Sequence, residues 1–296
     1  MLVEFGSRHV EWPGPELGEL RDAPPDPSDR RIQLADDGYL LVRRLIEPPT
    51  VVRARARIAE ALVAADMVDG TRTAELAIGS TPDPIELLGH RPVTHHPDVL
   101  AALESPALFE LFSELFDEPA TTLDFKWLRP VGTGELTGAH LDAVFMNRGS
   151  DRLLTTWIPL GTITPQDGSL AIVPSSHRSE EYQRVRSTYG QMDVDRDNVE
   201  GWLTDDPPTV TADFGGRWAT STFEPGDVLV FTMFTMHAST TNTTGRYRLS
   251  CDTRFQPAGD PIDERWMGSE PIGHLVHDEP ATSIEHARHA WGINSR

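Results

Sequence analysis

"LLTTWIPLGTITPQDGSLAIVPSS" spans residues 153–176, and its punctuation decides the fold class. β-Branched, aromatic and aliphatic residues at 153–160 and 169–173 are interrupted by Gly161, Pro165, Asp167 and Gly168, which reads as strand, turn, strand. A helix would need apolar residues at i, i+3 and i+4 through the same window, and the Gly and Pro positions break such a run. The texture returns in "TTLDFKWLRPV" (121–131), "DVLVFTMF" (227–234) and "YRLSCDTRFQP" (247–257). Short strands of this kind predict a jelly roll, whose open end can hold a site among inward-facing side chains. The stretch 178–222 is too long and irregular for a hairpin and reads as an insertion able to cover that site.

Upstream of residue 120 the periodicity is helical. "PPTVVRARARIAEALVAADMV" (48–68) puts apolar residues at helical spacing behind Pro48-Pro49, and "HPDVLAALESPALFELFSELF" (96–116) does so again, after a short strand in "LADDGYLLVRRLI" (34–46). The expected class is α+β, a jelly-roll core with flanking N-terminal helices. Residues 1–33, rich in Pro and charge, are expected to form an irregular arm, residues 34–257 the main domain, and residues 258–296 a C-terminal extension packing on it.

A chain of 296 residues with 38% hydrophobic and 24% charged content can bury a sizeable core. Its formal charge of −20 repels polyanions, so nucleic acid and anionic membrane are poor partners, whereas a neutral or cationic small molecule meets no such barrier. The longest nearly apolar run, 228–236, is too short to span a bilayer, and the first residues lack the basic-then-apolar layout of a secretion signal; the expected location is the cytoplasm. Cys251 is the only cysteine, which excludes an intrachain disulfide and any cysteine-cluster metal site. A metal must therefore sit on histidine and carboxylate.

Four His-x-acid pairs occur, His9-Glu11, His96-Asp98, His140-Asp142 and His277-Glu279, so spacing alone separates nothing in a chain with 46 acidic residues. Context does. The first lies in the arm, the second opens a helix behind Pro97 where capping explains Asp98, and the last precedes Pro280 at a turn. His140-Asp142 lies in "GAHLDAVF" (138–145) among small and apolar residues, and on a strand positions i and i+2 share a face. A third ligand is offered by His237 in "MFTMHASTTN" (233–242), at the end of the most apolar strand. Two histidines and a carboxylate with open positions form the facial triad of non-haem Fe(II) oxygenases. The competing reading of His237 is a core histidine capping its strand.

The segments "DGYLLVRRL" (37–45), "GAHLD" (138–142), "TTWIPLGTITPQDGSLAIVPSSHR" (155–178) and "PGDVLVFTMFTMHAST" (225–240), followed by Asn242 and "YRLS" (247–250), resemble one family in its own motif order. It is the phytanoyl-CoA dioxygenase-like branch of the Fe(II)- and 2-oxoglutarate-dependent dioxygenases, and the resemblance covers about residues 34–257. Ser175 departs from it, standing where the family often has Gly. The resemblance implies a double-stranded β-helix (jelly-roll, cupin-like) core, with iron held by His140, Asp142 and His237 and with 2-oxoglutarate and O2 as cosubstrates. It places Arg248, eleven residues after His237, against the distal carboxylate of 2-oxoglutarate, which a planar guanidinium can grip bidentately. Arg246 shares the parity of Arg248 but abuts the turn at Gly245. Ser239 and Trp157 match positions lining the cosubstrate. Asp142 implies oxygenation, because related halogenases carry a small residue there. The implied chemistry couples decarboxylation of 2-oxoglutarate to succinate with hydrogen abstraction from the substrate.

Lys126 is the single lysine among 26 basic residues, on the strand leading towards the metal strand. It is expected to reach the pocket and contact 2-oxoglutarate or substrate, the alternative being a solvated strand face. The stretch 125–161 resembles relatives that modify sugar-containing secondary metabolites, aminoglycosides and oligosaccharide antibiotics among them. The expected function is oxygenation of such a small metabolite in antibiotic biosynthesis. The alternatives are a non-catalytic jelly-roll binding protein, a metal-dependent hydrolase or isomerase of cupin type, and an oxygenase of an acyl-CoA or lipid.

Overall fold

The computed structural model describes residues 1–72, 76–78 and 91–293. Its strands are β1 (Leu2–Phe5), β2 (Arg8–Glu11), β3 (Leu17–Glu19), β4 (Tyr39–Val42), β5 (Ala120–Thr122), β6 (Trp127–Val131), β7 (Leu154–Pro159), β8 (Leu170–Ile172), β9 (Trp218–Thr220), β10 (Val228–Thr232), β11 (His237–Ser239) and β12 (Arg248–Pro257). A major sheet runs β4-β10-β7-β12-β5, with β6 also paired to β12, and a minor sheet runs β11-β8-β9-β3.

Alternation along the strands divides the core. Leu40, Val42, Ile158, Val228, Val230, Leu249, Cys251 and Phe255 turn outward into one apolar cluster, while Tyr39, Leu41, Trp157, Leu229 and Phe231 turn inward to meet Leu170 and Ile172 of the minor sheet. The outer cluster is closed by helices: α1 (Pro27–Asp37), α2 (Pro48–Ala64), α3 (Arg91–Thr94), α4 (Pro97–Leu103) and α5 (Pro106–Phe116), all before β5. In α2, Val51, Ala54, Ile58 and Leu62 form the buried stripe; in α5, Leu108, Leu111, Phe112 and Leu115 do so, and Phe112 stacks on Phe255 at 4.2 Å. Full burial of each such large side chain contributes about 1.5–3 kcal/mol.

The single helix expected over 96–116 is two. Pro106 forces the residue before it out of the helical region, and Ser105 is extended at φ −55°, ψ 136°. His96-Asp98 opens α4 as expected, but the histidine is the cap: its Nδ1 accepts from the Asp98 N–H at 3.2 Å, while Asp98 pairs with Arg57 at 2.9 Å.

The N-terminal stretch differs from the irregular arm expected. β1 and β2 form an antiparallel hairpin, and β3 pairs in parallel with β9, so it extends the minor sheet. Gly6-Ser7 is the two-residue hairpin signal between two alternating runs. Gly6 sits at φ +57°, and a Cβ there would lie 2.3 Å from the Asp206 carboxylate that accepts from Ser7. The 178–222 stretch supplies β9 itself and the short helices α7 (Gln183–Ser187), α8 (Val194–Asp197) and α9 (Pro208–Phe214), after α6 (Ala143–Met146). It is tied down beside the site: the Leu203 N–H donates to the Ala139 carbonyl and the Ala139 N–H to the Thr204 carbonyl, both at 2.8 Å.

In the C-terminal extension, Trp266 is buried against Phe125 and Trp127 with ring centroids 5.2 Å away, and α10 (Ile284–Trp291) follows. Residues 294–296 lie outside the described residues. Among those described, no helix is long and apolar enough to cross a membrane.

Candidate active site

His140 and His237 meet across an isolated bridge, each backbone N–H donating to the other's carbonyl at 2.9 and 3.1 Å. Each ring spends Nδ1 on a carbonyl two residues back, Gly138 at 2.8 Å and Thr235 at 3.0 Å. The proton of the neutral imidazole is therefore on Nδ1, and Nε2 keeps its lone pair. Both Nε2 atoms face Asp142 Oδ1, at 3.6 and 3.7 Å. All three donors are buried and lie within 4.8 Å of one another, close enough to share one ion.

His140 and Asp142 share a side by a route other than strand alternation. Asp142 is helical, at φ −61° and ψ −23°, and caps α6; its carbonyl accepts from the Phe145 and Met146 N–H groups at 3.0 Å. The chain thus turns from bridge to helix between the two residues, which is why the strand expected through this segment stops at His140.

Burial alone would raise the Asp142 pKa, but the Arg254 charge beside it outweighs this and holds the carboxyl well below the usual range. His237 is pushed by burial, and then by the neighbouring His140, down to about 3. At neutral pH the site therefore offers an ionised carboxylate and an uncharged imidazole, the protonation states a metal requires.

Arg248, Trp157 and Ser239 line the same cavity as the triad. The Arg248 guanidinium stands 5.9 Å from the centroid of the Trp157 ring and donates to Ser250 Oγ at 2.5 Å, yet its buried Nε has no hydrogen-bond partner among the described residues. Burial, and then the nearby Arg129, bring its pKa down to about 9. A cation in that condition calls for an anion. Ser239 Oγ accepts from the Thr137 N–H at 2.8 Å. Arg246 points elsewhere, paired with Asp167 at 2.7 Å.

Lys126 is not at this site, a correction to the sequence reading. It shares parity with Leu128, on the helix-facing side of β6, and is buried with its ammonium on Glu104 at 3.0 Å, the Leu123 carbonyl at 2.5 Å and the Thr122 and Thr253 hydroxyls. The cation that β6 brings to the cavity is Arg129, of the opposite parity. Sequence reasoning also missed Thr155 and Arg254, although Arg254 follows Arg248, Ser250 and Asp252 at alternate positions of one strand. Lys126→Met is expected to leave the KM for 2-oxoglutarate unchanged while lowering the melting midpoint, because the lost bonds strand buried acceptors at about 1–3 kcal/mol. Steady-state kinetics alongside thermal denaturation check this, and a raised KM would return Lys126 to the cosubstrate.

Residues 34–250 match the family described as phytanoyl-CoA dioxygenase (PhyH). The chain belongs to this family. It is a non-haem Fe(II)- and 2-oxoglutarate-dependent oxygenase. Its relatives include 1-deoxypentalenic acid 11-beta-hydroxylase of Streptomyces arenae, 28% identical over 75% of this chain and 78% of the relative. The same-named hydroxylase of Streptomyces exfoliatus is 22% identical over the same shares. Similar solved structures include the epimerase SnoN in complex with Fe3+, alpha ketoglutarate and nogalamycin RO, at TM-score 0.55 and 18% identity over 85% of this chain and 96% of that one. Another is EctD from S. alaskensis in its apoform, at TM-score 0.56 and 18% identity over 90% and 92%. These structures share the fold. The residues of this chain suit the family's cofactors: two Nε2 lone pairs and an ionised carboxylate converge, and an under-partnered guanidinium waits in the same cavity.

Proposed function

We propose that His140, Asp142 and His237 hold Fe(II), that Arg248 pairs with the distal carboxylate of 2-oxoglutarate with Trp157 and Ser239 beside it, and that the substrate is a neutral or cationic secondary metabolite bearing a sugar or similar hydroxylated ring. The observation that carries the cofactor reading is the triad and the unpartnered Arg248 Nε in one buried cavity. When bound, iron and 2-oxoglutarate supply the oxidation, by coupling O2 reduction to decarboxylation. The protein's part is to aim the three donors, pair the cosubstrate's charge on Arg248 and exclude water with the apolar walls from Leu170 and Phe231.

The substrate reading rests on a broad cleft one ring away. Phe145, whose ring meets His140 edge-on at 5.7 Å, forms part of its wall with Trp202, Glu200, Asp205 and Glu285. Arg288, also in the wall, pairs with Asp213 at 3.3 Å. An aromatic face with carboxylates around it suits a ring carrying hydroxyls or amines and opposes an anion. The location proposed is the cytoplasm.

Aminoglycoside or oligosaccharide candidates are expected to stimulate succinate release, and for a cationic one the rate at limiting substrate should fall as salt rises, because screening weakens the attraction. Acyl-CoA thioesters and terpenoid acids are the comparison arms. Turnover of either, with no response to any sugar-bearing compound, would overturn the substrate reading and leave the iron site standing.

A further inference from the structure

The positive charge facing Asp142 belongs to Arg254, whose part beyond that attraction is set by its geometry. Arg254 is 2% exposed, its guanidinium 4.0 Å from the centroid of the Trp127 ring. It donates from Nη1 to Asp252 Oδ2, and from Nη2 to Asp142 Oδ2 at 3.3 Å. Asp252 is also gripped by Arg129, at 2.5 Å on Oδ1 and 3.1 Å on Oδ2. The Thr155 hydroxyl on β7 also donates to Asp142 Oδ2. Both donors thus reach the same oxygen, and the other, Oδ1, is the one that faces both histidines.

A carboxylate rotates freely about its Cβ–Cγ bond unless something holds it, and a free one can offer either or both oxygens. Here two donors on neighbouring strands fix the torsion. We propose that Arg254, seconded by Thr155, is a positioning residue that presents Asp142 through Oδ1 alone and so sets the affinity of the site for its ion. The inference rests on the ligand assignment above. Arg254 reaches Asp142 and Asp252 at once because its guanidinium spreads its donors over a planar fork; a lysine in its place keeps the charge but gathers its three donors on one nitrogen and loses the fork's geometry. Partners of this kind around a metal ligand typically change affinity by about 10–100-fold.

The test uses the full chain stripped with chelator and titrated with Co(II), followed by calorimetry and by the visible absorption of the bound ion. Arg254→Lys and Thr155→Val are each expected to weaken Co(II) binding by about 10–100-fold, with altered absorption and with circular dichroism like the parent's. Thr155→Val keeps shape and charge balance, so it remains informative if Arg254→Lys folds poorly. Parental Co(II) affinity and absorption in folded Thr155→Val and Arg254→Lys would overturn the proposal. His237→Ala separates the two readings: if it binds Co(II) like the parent, the ligand assignment itself fails, and if it alone loses the ion, only the role of Arg254 and Thr155 falls.

Discussion

His237→Ala is expected to cut 2-oxoglutarate decarboxylation about 10³-fold or more, equivalent to ~4 kcal/mol of lost transition-state stabilisation, while the protein stays folded. The imidazole removed is uncharged at neutral pH, so no buried ion pair is broken. The backbone bridge to His140 does not depend on the side chain. Asp142 behaves differently. Asp142→Ala leaves the Arg129–Asp252–Arg254 group with an uncompensated buried charge, a defect that costs about 3–5 kcal/mol when one partner of a buried pair is removed. Asp142→Asn leaves the same charge uncompensated but keeps an oxygen that accepts from Arg254 and Thr155, so activity should vanish in it with a smaller fall in melting midpoint. Iron content, succinate yield and thermal denaturation of the variants check both statements; full activity in any one of His140→Ala, Asp142→Asn or His237→Ala would remove that residue from the triad.

Arg248→Ala comes next in size. Losing a charge-assisted contact worth about 1.5–3 kcal/mol raises the KM for 2-oxoglutarate by roughly 10–150-fold, with iron binding retained because no ligand is touched. A second readout is independent of turnover. A ligand that binds only the folded state stabilises it, by about 2.7 kcal/mol at a hundred times its Kd, so 2-oxoglutarate should raise the parent's melting midpoint and fail to raise the variant's at the same concentration. The ligand-free variant should not melt much earlier, since a buried guanidinium with an orphaned Nε is itself costly. Arg246, paired with Asp167, is the control: a KM defect in Arg246→Ala with none in Arg248→Ala would transfer the role to Arg246.

The proposed metal ligands were legible because such chemistry restricts residue type and their neighbours are apolar, so His140, Asp142 and His237 stood out from three decoy pairs. Strand alternation gave Arg248 its face but was applied incompletely. Followed past Ser250 and Asp252 along β12 it reaches Arg254, and applied to β6 it turns Arg129 inward with Trp127 and sends Lys126 outward with Leu128. The rarity of lysine in the chain carried no information about which face Lys126 occupied; its partner Glu104 lies on a helix end whose position only tertiary packing sets. The N-terminal hairpin was hidden by composition: the Pro-rich, charged stretch masked the short alternating runs around Gly6-Ser7.

The paired histidines have a practical consequence. Their lone pairs are aimed by the chain's own hydrogen bonds, with each Nδ1 anchored and each backbone bridged to the other, so nothing in the two rings has to be ordered when an ion arrives. A socket built in advance from two nitrogens and one oxygen does little to choose among first-row divalent ions, whose intrinsic affinities rise from manganese to copper irrespective of the enzyme's needs. Occupancy then follows supply. With His140, Asp142 and His237 as the proposed ligands, protein overproduced in a medium rich in nickel or zinc, or passed over an immobilised nickel column, is expected to carry the wrong ion in a correctly formed site, and weak activity in such a preparation measures its metal history before it measures its catalytic power.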